Sequence, residues 1–452
     1  MVRYLTITAA LSLVFSGVQF AANTADAKTP TFSKDIAPIF YEHCAQCHHT
    51  GTVAPFSVIN YKELRPWVKA IREKVITRQM PPWGADPKFG KFSNDPHLSD
   101  QQIDLVARWV ALGAPEGSPK DLPPAPIAAT GWRIGKPDLV LEMAEDFEVP
   151  ANQVLDMQYF ILDPHFTEDK WIQAAEIQEG NGRVVHHATL FIQDPNENNY
   201  RDRDKQFPGV VDFPKWQFKP PRPYKPTEIE RRLGVAEVRT HEPFTGIGHG
   251  EPPTGWGEGN AKLIKAGSKL VLQIHYTSNG KVEKDRSKVG LIFCRKPPEN
   301  VMLSLSVVNM NFTVPAGDPN YEVRSEADFL EDVHVWSLQP HMHLRGKDME
   351  YKVVYPDGRS EVILRVPKFD YSMQFWYDLA EPLALPKGSK ILVTAHFDNS
   401  ANNKVNPDPK VDVPRGLQTT DEMMNGHVNM TVDSWALSKN GGKLPKAASQ
   451  SN

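Results

Sequence analysis

Two histidines set two residues apart, His341 and His343, are the part of this sequence best suited to bind a metal ion. They follow an alternation of residues, Val333, Val335 and Ser337, that predicts a β-strand. Side chains at i and i+2 of a strand point to the same face, so both imidazoles can reach one metal ion. Two ligands do not complete a site. The residues that could supply a third ligand are His396, Met423, Met424 and His427.

A second group of histidines lies earlier in the chain. His186 and His187 are adjacent at the start of an apolar run, and His275 ends another alternating run. Neighbours on a regular strand face opposite ways, so His186 and His187 can share a metal only at a strand end or a bulge. The three form a candidate all-imidazole site, although spacing alone does not make them converge and a lone histidine at a strand end is usually a core residue.

The sequence Cys44-Ala-Gln-Cys47-His48 is typical of covalent attachment of c-type haem. Two thiols one helical turn apart can bond the two vinyl groups, and the adjacent histidine can ligate the iron. The thioether of Met80, in a loop that contains Pro81 and Pro82, suits the sixth iron position. A redox dithiol or a zinc site is the alternative for the cysteines, and a core position is the alternative for Met80.

Helical patterns surround the haem motif. Ser33 is predicted to cap a helix, and residues 99–102 (Ser-Asp-Gln-Gln) read as a capping box for a helix that ends at Gly113. From Trp132 onward, short β-rich runs separated by turn residues predict β-sandwich architecture. Residues 194–266 interrupt these runs with polar, proline- and glycine-rich sequence that we expect to form loops.

Length and composition set the limits. The 452 residues allow about three domains. Arg3, the apolar run Leu5–Val18 and the Ala25-Asp-Ala27 site predict a cleaved export signal, hence a periplasmic or secreted protein with no stable membrane anchor. The net charge of −4, with both signs mixed throughout, argues against a nucleic-acid surface. Of the three cysteines, only Cys294 lies outside the haem motif, and we expect it to be a small buried apolar residue.

Four stretches, in order, resemble the copper type II, ascorbate-dependent monooxygenases, the family of peptidylglycine α-hydroxylating and dopamine β-monooxygenases. They are residues 185–187 (Val-His-His), 272–276 (Leu-Gln-Ile-His-Tyr), 339–346 (Gln-Pro-His-Met-His-Leu-Arg-Gly) and 421–425 (Asp-Glu-Met-Met-Asn). The resemblance covers about residues 135–435. Residues 30–116 resemble a class I cytochrome c domain, a fusion in which this chain departs from the animal enzymes.

The resemblance implies a mainly β fold. Two tandem jelly-roll-like β-sandwiches, each with one copper facing a solvent-filled cleft, would follow a small all-α cytochrome c domain. The expected divisions of the chain are a signal peptide (1–27), a cytochrome c domain (28–116), a proline-rich linker (117–131), a first copper sandwich (132–296), a second copper sandwich (297–438) and a disordered tail (439–452).

The resemblance also implies ligands for two copper ions, in addition to one covalent haem c. The electron-transfer copper would be held by His186, His187 and His275. The catalytic copper that binds dioxygen would be held by His341, His343 and Met423. Gln339 stands where the peptide-amidating branch has an arginine that grips a carboxylate, so a peptide C-terminus is disfavoured. Gln339 and Asn425 are the candidate substrate contacts.

The expected function is hydroxylation of a C–H bond of a small organic substrate with dioxygen. Electrons would come from the fused haem, from ascorbate or from another redox protein. The alternatives are a periplasmic haem and copper electron-transfer or copper-binding protein without hydroxylase activity, and a binding or sensing module. Copper content and oxygen uptake coupled to product discriminate these functions.

Overall fold

A computed structural model describes residues 29–50, 54–126, 131–153, 155, 157–193, 195, 210–211, 243–247, 254–416 and 418–441. The predicted export signal lies outside these residues, as do most of residues 194–253 and residues 442–452 of the predicted tail. Within the described part of the chain, no helix is long and apolar enough to cross a membrane.

The first part of the chain is helical. After a short π-helical turn at Phe32–Ile36, the helices are α1 (Ala37–His43), α2 (Tyr61–Leu64), α3 (Val68–Ile76) and α4 (Asp100–Ala111). Their apolar side chains form a separate core around the fully buried Trp109. The Trp109 indole N–H donates to the Pro115 carbonyl at 3.0 Å, which ties the end of this region to its centre.

The capping predictions had mixed outcomes. The box at α4 is confirmed, because the Ser99 hydroxyl accepts from the Gln102 N–H and the Gln102 side chain accepts from the Ser99 N–H. Gly113 follows this helix with φ of +90°, a backbone conformation that glycine adopts without strain. The prediction for Ser33 is wrong. Thr31 precedes the first turn, and Ser33 is buried inside it, where its hydroxyl donates to the Glu116 carbonyl.

The rest of the described chain is mainly β. The strands before residue 296 are β1 (Leu139–Glu142), β2 (Phe147–Val149), β3 (Gln158–Leu162), β4 (Lys170–Gln178), β5 (Val185–Gln193), β6 (Val210–Val211), β7 (Pro243–Ile247), β8 (Thr254–Gly255), β9 (Asn260–Ile264), β10 (Lys269–Tyr276), β11 (Glu283–Asp285) and β12 (Lys288–Phe293).

The later strands are β13 (Asn300–Val308), β14 (Thr313–Val314), β15 (Tyr321–Asp328), β16 (Val333–His341), β17 (Gly346–Val354), β18 (Ser360–Val366), β19 (Tyr377–Leu385), β20 (Lys390–Phe397), β21 (Val413–Pro414) and β22 (Asn425–Val432). A turn of 3₁₀-helix, Leu437–Asn440, follows β22 and so lies at the start of the predicted tail.

One long sheet runs through both halves of the β region, in the order β1-β12-β4-β9-β13-β22-β16-β19. Its first half packs against the five-stranded sheet β6-β3-β10-β5-β7, and its second half packs against the four-stranded sheet β15-β20-β17-β18. The halves join where β9 and β13 pair in parallel, at Asn260–Asn300 and Ala261–Val301. The result is two sandwich-like units, here called the first and the second sandwich, that share one continuous sheet.

The helical part, which the chain connects to the first sandwich, also contacts the second sandwich. Phe92 bridges to Leu379, the Ser93 N–H donates to the Asp378 carbonyl, and the Ala380 N–H donates to the Lys91 carbonyl. Trp83 lies beside Tyr377, with ring centroids 4.6 Å apart. Residues 91–93 therefore pair with β19 at the edge of the long sheet.

Candidate metal centres

A bulge between β5 and β10 brings three histidines together. His187 lies directly opposite His275 in this antiparallel pair, but the next pair is Val185 with Tyr276. His186 is therefore an extra residue in its strand, and a bulge can turn its side chain towards the face of its neighbour. The three ring centroids are 5.2, 5.3 and 5.2 Å apart. One nitrogen from each ring lies within 4.8 Å of the others, so His186, His187 and His275, here called the histidine trio, could hold a metal ion.

The trio is in the protonation state that a metal requires. Burial, together with the neighbouring His275, lowers the pKa of His186 to about 4. Burial lowers the pKa of His275 to about 4, and it lowers the pKa of His187 well below the ordinary value. The buried Nδ1 atom of His275 has no hydrogen-bond partner in the described part of the chain. A buried, unpaired ring nitrogen beside two neutral imidazoles fits a metal ligand.

The second candidate set lies at one end of the β16–β22 pair. His341 is the last residue of β16 and stands opposite Asn425, the first residue of β22. His343 follows His341 by two residues and Met423 precedes Asn425 by two, so both leave the same end of the ladder. The His341 and His343 rings are 5.3 Å apart. The predicted strand thus ends at His341 rather than continuing through both histidines, yet the rings still meet.

Hydrogen bonds orient both imidazoles of this pair. The Gln374 amide nitrogen donates to the Tyr371 carbonyl, so its oxygen is left to accept from His341 Nδ1. His343 Nδ1 lies 3.1 Å from the Asp421 carbonyl and donates to it. Both rings therefore keep Nε2 as the free lone pair, the arrangement that outer hydrogen bonds give to metal-bound histidines. Burial lowers the pKa of His341 to about 4 and, with His341 nearby, lowers that of His343 to about 3.

Glu422 joins the segment that carries His343 to the segment that carries Met423. Its carboxyl accepts from the backbone N–H groups of His343, at 2.9 Å, and Arg345, at 2.7 Å. The Arg345 guanidinium lies 3.9 Å from the same carboxyl, and both side chains are buried, at 2% and 0% exposure. Met424 is fully buried in the core, whereas Met423 is half-buried and its sulfur accepts from the Asn425 amide at 3.5 Å. Of the two methionines, Met423 is therefore the one whose sulfur is not packed in the core.

The remaining histidine candidates have other contacts. The His427 ring lies 6.0 Å from that of His341, and its Nδ1 is 2.6 Å from the Ser306 hydroxyl. His396 is held by Asp348, at 2.8 Å, and lies 3.5 Å from Glu322. His427 is therefore a neighbour of the second set, and His396 lies among carboxyl groups elsewhere.

The candidate substrate contacts lie beside the second set. Gln339, on β16, donates from its amide to the Gln374 carbonyl at 3.1 Å. Asn425 contacts Met423, as described above. Gln339 thus contacts the residue that orients His341, and Asn425 contacts the candidate ligand Met423 itself.

The residues predicted to bind haem follow α1 directly. Cys44 and Cys47 lie on one backbone turn, in which the N–H groups of Cys47 and His48 donate to the Cys44 carbonyl. His48 Nδ1 lies 3.3 Å from the Phe56 carbonyl, and the two rings are 4.6 Å apart. That bond leaves Nε2 free for iron. Met80 is 37% exposed, so its thioether is not committed to the core.

Tyr371 is a residue that the motifs did not indicate. It lies in the loop between β18 and β19, on the second sandwich, yet its ring centroid is 5.9, 6.2 and 6.5 Å from those of the trio on the first sandwich. The same ring lies 6.1 Å from His343. One aromatic side chain therefore contacts both candidate centres.

Comparisons with known proteins do not identify a family for this chain. No model of a protein family and no curated protein matches the chain. Among solved structures, the infectious bursal disease virus VP2 subviral particle is 8% identical, with a TM-score of 0.20 over 68% of this chain and 74% of that chain. The Gx strain of the same virus is 6% identical, with a TM-score of 0.19 over 65% and 72%. At these scores neither likeness carries an argument.

Proposed function

We propose that this protein is a copper-dependent monooxygenase that hydroxylates a C–H bond of a small organic substrate with dioxygen. The observation that carries the proposal is the pairing of two different donor sets on adjoining sandwiches. One set is all imidazole (His186, His187 and His275). The other combines two imidazoles with a nearby thioether (His341, His343 and Met423), and Tyr371 contacts rings of both.

The donor chemistry favours copper. Imidazole suits both zinc and copper, but a thioether is a soft ligand that favours Cu(I). Zinc also has no redox role, whereas two one-electron sites suit a reaction that consumes two electrons. Copper, when bound, would supply dioxygen binding at the second set and one-electron transfer at the trio.

The chain's own residues prepare these sites. Burial keeps the imidazoles neutral, and Gln374 and the Asp421 carbonyl bind Nδ1 of His341 and His343, which leaves Nε2 for a metal. Glu422 fixes the segment that carries Met423. The overall reaction takes the substrate C–H bond, dioxygen, two electrons and two protons to an alcohol and water. The electrons would come from a haem c on Cys44, Cys47 and His48, with Met80 as its sixth ligand, or from ascorbate or another redox protein.

The finer features of the fold belong to the same proposal. The two sandwiches would be tandem jelly rolls, the helical region a class I cytochrome c domain, and the mature chain periplasmic or secreted. The contacts of Trp83 and Phe92 with β19 support a haem region docked on the second sandwich rather than tethered at a distance.

Oxygen uptake with simultaneous product analysis tests the proposal. Copper-replete protein with a reductant is supplied with a panel of small apolar and aromatic substrates. A product heavier by one oxygen atom should accompany oxygen uptake, and His341→Ala should abolish both. Oxygen-independent electron exchange by fully metallated protein, with no product from any substrate, would instead favour an electron-transfer protein.

A further inference from the structure

The loop Asp370–Gln374, between β18 and β19, has contacts with both candidate centres. Its backbone is a tight turn in which the Met373 N–H donates to the Asp370 carbonyl at 2.9 Å and the Ser372 N–H donates to the Asp370 carboxyl at 2.9 Å. The Gln374 side chain closes back onto the Tyr371 carbonyl, also at 2.9 Å. These bonds join Tyr371 and Gln374 in one small structural unit.

Tyr371 covers the trio rather than lying beside one member of it. Its ring is nearly equidistant from the three imidazoles, which are themselves almost equidistant from each other. The ring therefore stands over the centre of the triangle. It stacks on His186 with an interplanar angle of 28° and meets His187 nearly edge-on, at 84°. These contacts come from the second sandwich and restrict rotation of imidazoles that belong to the first.

Gln374, at the other end of the loop, acts on the second set. Its oxygen accepts from His341 Nδ1, and its carbonyl accepts from the Gln339 amide. Any displacement of Tyr371 that opens the loop also moves the acceptor that orients His341. The loop Asp370–Gln374 therefore contacts both centres, and a movement of this loop affects both.

We propose that Tyr371 is a positioning residue that the second sandwich contributes to the trio, and that the loop Asp370–Gln374 couples metal binding at the two centres. The coupling rests on the proposed function, because it requires metal at both sets. The position of Tyr371 over the trio, here called the cap, does not require bound metal. Metal at the trio orders the three imidazoles under Tyr371, which orders Gln374 and His341. The second set then binds its metal without the full cost of ordering, so the coupling is positive.

The cap is tested on metal-free protein by labelling histidines with diethylpyrocarbonate and reading the sites by mass spectrometry. Labelling of the peptide that carries His186 and His187 should become several-fold faster in Tyr371→Ala and stay near wild type in Tyr371→Phe. His165, whose side chain is 85% exposed, provides the internal reference. Equal rates in wild type and Tyr371→Ala would overturn the cap.

The coupling is tested by anaerobic titration with Cu⁺ against a competing chelator. The second set should bind Cu⁺ about five-fold or more tightly in wild type than in His187→Ala, in which the trio is disabled. This ratio should fall to about one when both proteins also carry Tyr371→Ala, and it should persist with Tyr371→Phe. A ratio unchanged by Tyr371→Ala would overturn the coupling. Failure of wild type to bind Cu⁺ at either set would contradict the proposed function and the coupling together, while the cap would still be judged by the labelling rates.

Discussion

His275 lies directly opposite His187 across β10 and β5, and the ladder slips by one residue immediately beyond them. This slip makes His186 a bulged residue and turns a pair of facing histidines into a trio. The register of two strands, rather than any local motif, therefore creates the first candidate centre.

Nδ1 of His275, which has no partner among the residues that the structure describes, leads to a prediction about metal-free stability. A buried polar atom without a partner costs about 1–3 kcal/mol, so His275→Leu should leave the metal-free protein as stable as wild type or more stable. The same change should remove the stabilisation that Cu⁺ gives at the trio. Thermal unfolding with and without Cu⁺ measures both effects. His396→Leu is the matched control, because His396 has a carboxylate partner and its loss should destabilise. A large loss of stability in metal-free His275→Leu would show that the imidazole is structural.

Gln374 should control metal affinity at the second set. Gln374→Leu removes the acceptor that orients His341, and loss of such a partner weakens metal binding about 10–100-fold. Gln374→Glu retains an acceptor oxygen and should keep most of the affinity. Chelator competition with Cu⁺ measures each dissociation constant. Equal affinities for Gln374→Leu and wild type would contradict the role of Gln374.

Glu422 should be costly to replace. Burial raises the pKa of Glu422 to about 8, against the opposing effect of the backbone N–H groups and Arg345. Glu422→Ala leaves the two backbone donors without this acceptor and removes the carboxyl beside the buried guanidinium, which keeps its bonds to Asn399 and the Thr420 carbonyl. The expected cost is about 3–5 kcal/mol in the free energy of unfolding. Chemical denaturation measures this cost. Glu326→Ala, which breaks an exposed pair with Lys390, should cost less than about 1 kcal/mol. Similar unfolding costs for Glu422→Ala and Glu326→Ala would contradict the role of Glu422 in joining the two segments.

Asp378, where the helical region meets β19, should make stability depend on pH. Burial raises the pKa of Asp378 from 3.8 to about 6, so the folded protein favours the neutral carboxyl. This contribution is present in full below pH 3.8 and is lost as the pH rises through about 6. Asp378→Asn should therefore be more stable than wild type at pH 7.5, by about 1–2 kcal/mol after allowance for partial exposure. The difference should vanish near pH 4. A variant that is less stable at pH 7.5 would contradict this account.

Sequence patterns anticipated the fold where local signals are strong. The alternating run at residues 269–276 is a strand, and the capping box at Ser99 starts a helix, because side-chain periodicity and cap chemistry act over a few residues. The prediction for Ser33 fails because a serine near a helix start can also form a long-range hydrogen bond, here to the Glu116 carbonyl. The continuous sheet formed by β9 and β13 depends on pairing between distant strands, which no local pattern specifies.

The candidate centres, like the fold, could be predicted only where local patterns specify them. Histidines and Met423 carry recognisable chemistry and spacing, so they could be proposed as ligands in advance. Tyr371, Gln374 and Glu422 act through contacts made by folding, and a tyrosine or glutamine in a loop has no distinctive spacing. The bulge that turns His186 was foreseen only as a condition for the site, since neighbouring strand residues otherwise face apart.

Copper content per chain tests the central claim most directly. Metal analysis of copper-replete protein after removal of loosely bound ions should give about two copper ions in wild type, one for each donor set. It should give about one in His187→Ala, about one in His341→Ala and none in the double variant. A wild type that retains no copper, or variants that retain as much as wild type, would contradict the account.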